Sequence, residues 1–411
     1  MNNLNLKYNS IFGFSFILVL FLTNYLIPEI QTVLFIIIIT FLLYKINIIR
    51  INLFSFLLPL IIYLIIGTLS INSNDSSNVI KDYYYILKPI FCLLLGFLMI
   101  LTINDYKKFI KILLTTGTLL SIIRIFQFLL FVLFEQGNMD IYEFRNIYGS
   151  GSMVSILLLT LIHLLWKYND KTVSKNTLMI TGIINLLSVL LSFARVYIII
   201  LFISFFIISE LYKLLKIKNI LRIAIFSSFI FFIIAISFNI FENSLFKDKI
   251  SKTFEELVIK DYSGSVDINL FWRGYESYKG IEVYSNSSWP EFFIGRGFGY
   301  LLNLGFVQTL RDEPMQYIPI LHNGYVYILL KTGFLGLLCY LWFFISLLRN
   351  KIQNKDKYNI INQKFLMVTS IILLITTFVD TGLFNKDMYI PFHIILGSLI
   401  AFRNTALINK K

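Results

Sequence analysis

Leu321-His322-Asn323-Gly324-Tyr325-Val326-Tyr327-Ile328-Leu329-Leu330-Lys331-Thr332-Gly333-Phe334-Leu335-Gly336-Leu337-Leu338 marks the point where a long polar stretch turns into an apolar helix. Ahead of it, residues 243–321 carry eight Lys/Arg and ten Asp/Glu among many aromatics, and no other segment is long and polar enough to hold a reaction. On either side, apolar blocks of about 17 to 26 residues alternate with short basic connectors, the pattern of helices that cross a bilayer. The polar stretch therefore reads as one large loop held against one face of a membrane scaffold.

The composition agrees. Of 411 residues, 57% are hydrophobic and only 14% charged, against about 25% charged in soluble domains. Apolar blocks fall near 11–27, 30–44, 51–70, 86–104, 109–134, 149–166, 177–193, 196–209, 222–242, 321–347, 365–381 and 390–402, which predicts an all-α polytopic membrane protein of about 12 transmembrane helices. Residues 1–242 hold helices one to nine, 243–321 the loop, and 322–411 helices ten to twelve with a short tail. With both termini cytoplasmic, the inside connectors hold 20 Lys/Arg and the short outside connectors only Lys81, Arg145, Arg195 and Lys386. That asymmetry makes the loop face away from the cytosol.

The net charge of +13 reports this topology and excludes nucleic acid as a partner, because the loop itself is slightly acidic. Cys92 and Cys339 lie inside apolar blocks, so no disulfide framework is indicated. The first block ends in Pro28-Glu29 without a small-residue cleavage pattern and reads as an uncleaved span. Within the loop, Lys247–Lys260 predicts an amphipathic helix with Ile250, Phe254, Leu257 and Val258 on one side. Asn269–Tyr284 predicts a second, with Phe271, Tyr275, Tyr278 and Ile281 as its stripe, ended by the turn from Ser285 to Pro290. Glycines then crowd into Phe292-Phe293-Ile294-Gly295-Arg296-Gly297-Phe298-Gly299, where the backbone can approach a neighbour closely or take positive φ.

Absences exclude whole classes of chemistry. There is no phosphate-binding GxxxxGK[ST] loop for a nucleotide-driven pump. No His/Cys/carboxylate cluster has metal-ligand spacing, so neither a metal nor a cofactor is expected.

Present instead are arginines at or near the outer side: Arg145, Arg195, Arg273, Arg296 and Arg311. A guanidinium keeps its charge at any working pH and grips phosphate oxygens in pairs. Arg195, wedged between two apolar spans, either holds an anionic partner or snorkels to headgroups. Arg124 lies deep in the fifth span and must face protein or water. Of the histidines, His163 reads as a cytosolic interface residue and His393 as a packing residue. His322 opens the tenth span at the outer boundary, where an imidazole suits proton transfer from a hydroxyl nucleophile or simply starts the helix.

Taken in order, Leu191-Ser192-Phe193-Ala194-Arg195, then Arg273, then the glycine-rich run 292–299, then His322-Asn323 with Gly333-Phe334-Leu335-Gly336, resemble the pattern of the O-antigen ligase and polymerase superfamily. The resemblance covers residues from about Arg145 to Leu347. It implies a GT-C-like membrane glycosyltransferase, independent of metal, that moves a glycan from a polyprenyl-pyrophosphate carrier at the outer face of the cytoplasmic membrane. Arg195 and Arg273, with Arg145, would then hold the pyrophosphate, and His322 would take the acceptor's proton. Arg296, Asn323, Gly295, Gly297 and Gly299 would line the substrate region. Arg296 stands where the family varies, so a role there concerns this chain's own glycan.

The resemblance further implies, as partners, a polyprenyl-pyrophosphate-linked oligosaccharide, membrane lipids and a chain-length regulator protein. Polymerase of O-antigen or capsule is the first expectation, on a composition rich in Ile, Asn, Lys and Phe. A ligase acting on lipid A-core is the alternative. A flippase of lipid-linked sugars is the rival class, and it is disfavoured because polar residues gather in one loop with no symmetry between halves.

Overall fold

The computed structural model describes residues 19, 26–46, 55–71, 74–103, 105–134, 153–192, 195–209, 258–262, 265–310, 313–349, 356–385 and 389–408. Most of the apolar block at 11–27, all of that at 222–242, most of the helix expected at Lys247–Lys260, and both Arg145 and Arg311 lie outside them.

Helices dominate. In chain order they are α1 (Pro28–Ile46), α2 (Leu58–Leu69), α3 (Ser76–Ile103), α4 (Tyr106–Phe134), α5 (Met153–Lys167), α6 (Lys175–Leu190) and α7 (Arg195–Ile208). The loop region contributes α8 (Ser265–Leu270), α9 (Trp272–Ser285) and α10 (Trp289–Ile294). After it come α11 (Gly324–Leu348), α12 (Lys357–Val379) and α13 (Ile390–Ile408). Among the described residues five helices, α1, α3, α4, α11 and α12, are long and apolar enough to cross a membrane, which makes this a multi-pass membrane protein. The all-α expectation needs one amendment. Residues of the loop form an antiparallel hairpin, β1 (Leu302–Leu310) with β2 (Glu313–Ile318), interrupted between Asn303 and Gln308. A hairpin closes its own backbone hydrogen bonds locally, and no period-two pattern had announced it.

The most extensive packing is between α3 and α13, where backbones nearly touch: a Cβ on Gly96 would fall 1.9 Å from the Ile394 carbonyl, and one on Gly397 2.0 Å from that of Leu93. Small residues at such a crossing let dispersion and weak polar contacts replace the hydrophobic drive that lipid removes. The Ser398 hydroxyl donates to the Gly96 carbonyl across it. A second group, α4, α5 and α6, is joined by buried hydroxyls and an amide: Ser121 bonds Ser155 and Asn185, each at 2.7 Å. Arg124, one turn on, is buried among protein as its position demands.

The loop is tied to the bundle through a break in α11. Gly333 has φ 63° and ψ −165°, a left-handed conformation that interrupts the helical ladder. The carbonyls just before it are taken up by the glycine-rich run: Arg296 N–H donates to Leu330 at 2.8 Å and Gly297 N–H to Lys331 at 3.0 Å. Gly295 presses against this break, where a Cβ would meet the Thr332 nitrogen at 2.4 Å. Around it, Asp82 of α3 is buried and paired with Lys331 of α11. The same carboxylate accepts from Gly299 N–H at 2.6 Å and the Tyr327 hydroxyl at 3.0 Å.

Candidate active site

The site forms where α9, the start of α11, the end of α12 and the start of α13 meet. Arg273 and Glu276 sit three residues apart on α9 and so share a face. The expected apolar stripe of this helix is buried only in part: Tyr275 is buried and Phe271 packs on the core, but Ile281 is exposed. Gly274, Glu276, Ser277 and Gly280 point inward as well. Small residues explain the choice: a Cβ on Gly280 would lie 2.4 Å from Val326, so only glycine lets α9 lie this close to α11. The Tyr275 hydroxyl anchors the helix to the hairpin through the Leu304 carbonyl at 2.7 Å.

His322 precedes α11, and Asn323 caps that helix, its side chain accepting from the Tyr325 and Val326 amides. The cap fixes the His322 backbone, and Glu276 fixes the ring. One carboxylate oxygen, Oε2, accepts from His322 Nδ1 at 2.8 Å and from the His322 amide at 3.2 Å. Glu276 is 3% exposed while the His322 side chain is 43% exposed, so the acid is hidden behind a ring that faces open space. Burial opposes the charged imidazolium, but the hydrogen bond and negative charge of Glu276 outweigh it and raise the His322 pKa above its usual 6.5. Arg273 acts on the ring in the opposite direction and Asp380 in the same direction as Glu276, so both charges lie in its neighbourhood.

Asp380 ends α12 and holds the Thr381 amide at 2.9 Å. Tyr389, just before α13, is fully buried, and burial raises its phenol, with Asp380 and Tyr197 adding to the shift and Arg273 opposing it. Tyr197 lies two residues into α7, whose first residue is Arg195. Tyr389 thus lies within electrostatic reach of Arg273, Asp380 and the first turn of α7.

Other candidates sit elsewhere. Arg296 is held by Glu291 at 3.6 Å and by the Tyr300 hydroxyl at 3.1 Å, beside Leu330 and more than two turns along α11 from His322. Gly295, Gly297 and Gly299 are buried against α11, Ser70 and Val79, where they seat the loop. His163 stacks on Phe205 and His393 is buried in the bundle. Glu276 was missed by sequence reasoning. One signal existed, an acid a single turn after Arg273 on an amphipathic helix, but ten acids in the loop diluted it.

No family model and no curated protein matches the chain.

Proposed function

We propose that the protein is a polysaccharide polymerase of about twelve spans with a GT-C-like arrangement, joining lipid-linked repeat units at the extracytoplasmic face of the cytoplasmic membrane. The observation that carries this reading is the partly exposed His322 ring braced by buried Glu276 beside Arg273. With Nδ1–H donated to the carboxylate, Nε2 keeps its lone pair for an incoming hydroxyl. The hydroxyl oxygen of the acceptor sugar bonds to the donor's anomeric carbon as the bond from that carbon to the pyrophosphate oxygen breaks. The electron pair leaves with the polyprenyl pyrophosphate, whose charge Arg273 and Arg195 balance. The hydroxyl proton passes to His322 Nε2.

Purified protein given a defined lipid-linked repeat unit in detergent should elongate it without a sealed vesicle and in the presence of a metal chelator. A strict need for a divalent ion, or for a closed compartment, would count against the scheme. In cells, deletion of the gene should leave a single repeat unit on the surface lipid; a bare core would indicate the ligase instead.

A base works only when deprotonated, so a raised His322 pKa puts the acid limb of chain extension above pH 6.5. Glu276→Gln keeps a hydrogen-bond acceptor and removes the charge. Burial and Arg273 then act unopposed by that charge, and the limb should move to lower pH while its height falls. An unmoved limb would show that His322 is not the titrating base.

A further inference from the structure

We propose that residues 288–300 form a re-entrant element embedded in the membrane on the loop's side, with Trp289 and Phe293 in contact with lipid acyl chains. The inference rests on the membrane-spanning reading alone and not on glycan transfer.

Depth is the first argument. A hydrocarbon core about 30 Å thick takes about 20 helical residues, and counting back from Leu348, at the basic end of α11, puts its outer edge near residue 329. Phe292 of α10 stacks on Phe334 with ring centroids 6.1 Å apart, so α10 packs about five residues, roughly 8 Å, below that edge. Trp289 stacks in turn on Phe293 at 6.1 Å.

Backbone satisfaction is the second argument, because non-helical chain survives at membrane depth only where protein closes its hydrogen bonds. Every amide from Gly295 to Gly299 finds an acceptor within the protein: Glu291, Leu330, Lys331 and Gly67 carbonyls in turn, then the Asp82 carboxylate. Asn74 Nδ2 donates to the carbonyls of Arg296 at 3.0 Å and Phe298 at 2.8 Å. The Tyr284 hydroxyl covers the Phe292 carbonyl at 2.9 Å. Glu291 and Arg296 oppose each other's charge.

Exposure is the third. Trp289 is 77% and Phe293 40% exposed, and their faces continue those of Phe334, Leu338 and Trp342, which α11 also leaves uncovered. At that depth the neighbour of an uncovered aromatic is an acyl chain, and Trp favours this boundary.

A variant carrying Trp166→Phe, Trp272→Phe and Trp342→Phe leaves Trp289 as the one tryptophan. In proteoliposomes of phosphatidylcholine with brominated chains its emission should fall to about half or less, while iodide on both sides of the membrane removes less than about a tenth, as expected for an indole at the acyl boundary. Quenching by iodide, or by neither agent, would overturn the proposal, placing the ridge in water or under another protein. Phe293→Cys tests the same point without the triple change, since Cys92 and Cys339 are buried. It should resist a membrane-impermeant maleimide in intact membranes and react after solubilisation. Ready labelling in the membrane would sink the idea.

Discussion

His322→Ala should abolish chain extension, lowering turnover by about 10²–10⁴-fold, the range that general base catalysis supplies. The loss should fall on turnover more than on binding, because the ring meets the acceptor hydroxyl only as it reacts. The substitution leaves the Asn323 cap in place and removes a side chain that is already partly exposed, so the protein should still insert and stay monodisperse. Among the described residues Glu276 then keeps the amide at position 322 as partner, a modest cost to stability. Elongation of a defined lipid-linked repeat by the purified variant checks this, and near-normal polymer would defeat the assigned role. On the proposed scheme Arg195→Ala and Arg273→Ala should also stop elongation, since each takes away a charge assigned to the leaving pyrophosphate.

The second large effect concerns stability. Asp82→Ala removes the partner of the Lys331 ammonium, the Gly299 amide and the Tyr327 hydroxyl together. Stranding one member of a buried ion pair costs about 3–5 kcal/mol, more than the net worth of the pair, because the remaining charge has lost both water and counter-charge. Adding Lys331→Met should recover only part of that loss, since it also takes the donor from the Tyr300 carbonyl. The amide and the phenol still lack an acceptor, at about 1–3 kcal/mol for each orphaned group. Thermal denaturation in detergent should therefore rank wild type above the double variant and the double variant above Asp82→Ala. A double variant no better than the single would show that the pair is not the weak point.

Much of the architecture was legible because lipid imposes length and charge rules on a span. The apolar blocks near 30–44, 109–134 and 321–347 reappear as α1, α4 and α11 within a few residues. Asp82 was not legible in its role: the fourth block seemed to begin at residue 86, whereas α3 begins at Ser76 and carries the carboxylate inside the bundle. The sequence did hold a hint, an acid and a lysine each lodged in or beside an apolar run, and opposite charges in such places tend to find each other. His322 could be named from its position beside a membrane boundary, and Arg273 as a loop arginine carried by the resemblance. The acid that braces His322 could not, since only tertiary contact selects one acid from ten. The stripe expected on α9 held at Tyr275 and not at Ile281 for a related reason: glycine, invisible to an apolar count, decided which face could come closest to α11.

The discontinuity at Gly333 makes the two halves of the molecule inseparable. A membrane helix ordinarily keeps its own hydrogen-bonding account closed, yet here two carbonyls of α11 are capped by amides at Arg296 and Gly297, made more than thirty residues earlier. Excising residues 288–300, or grafting another chain's loop across them, would leave those oxygens without their donors. Between proteins of this build, loop and span can thus be exchanged only as one piece.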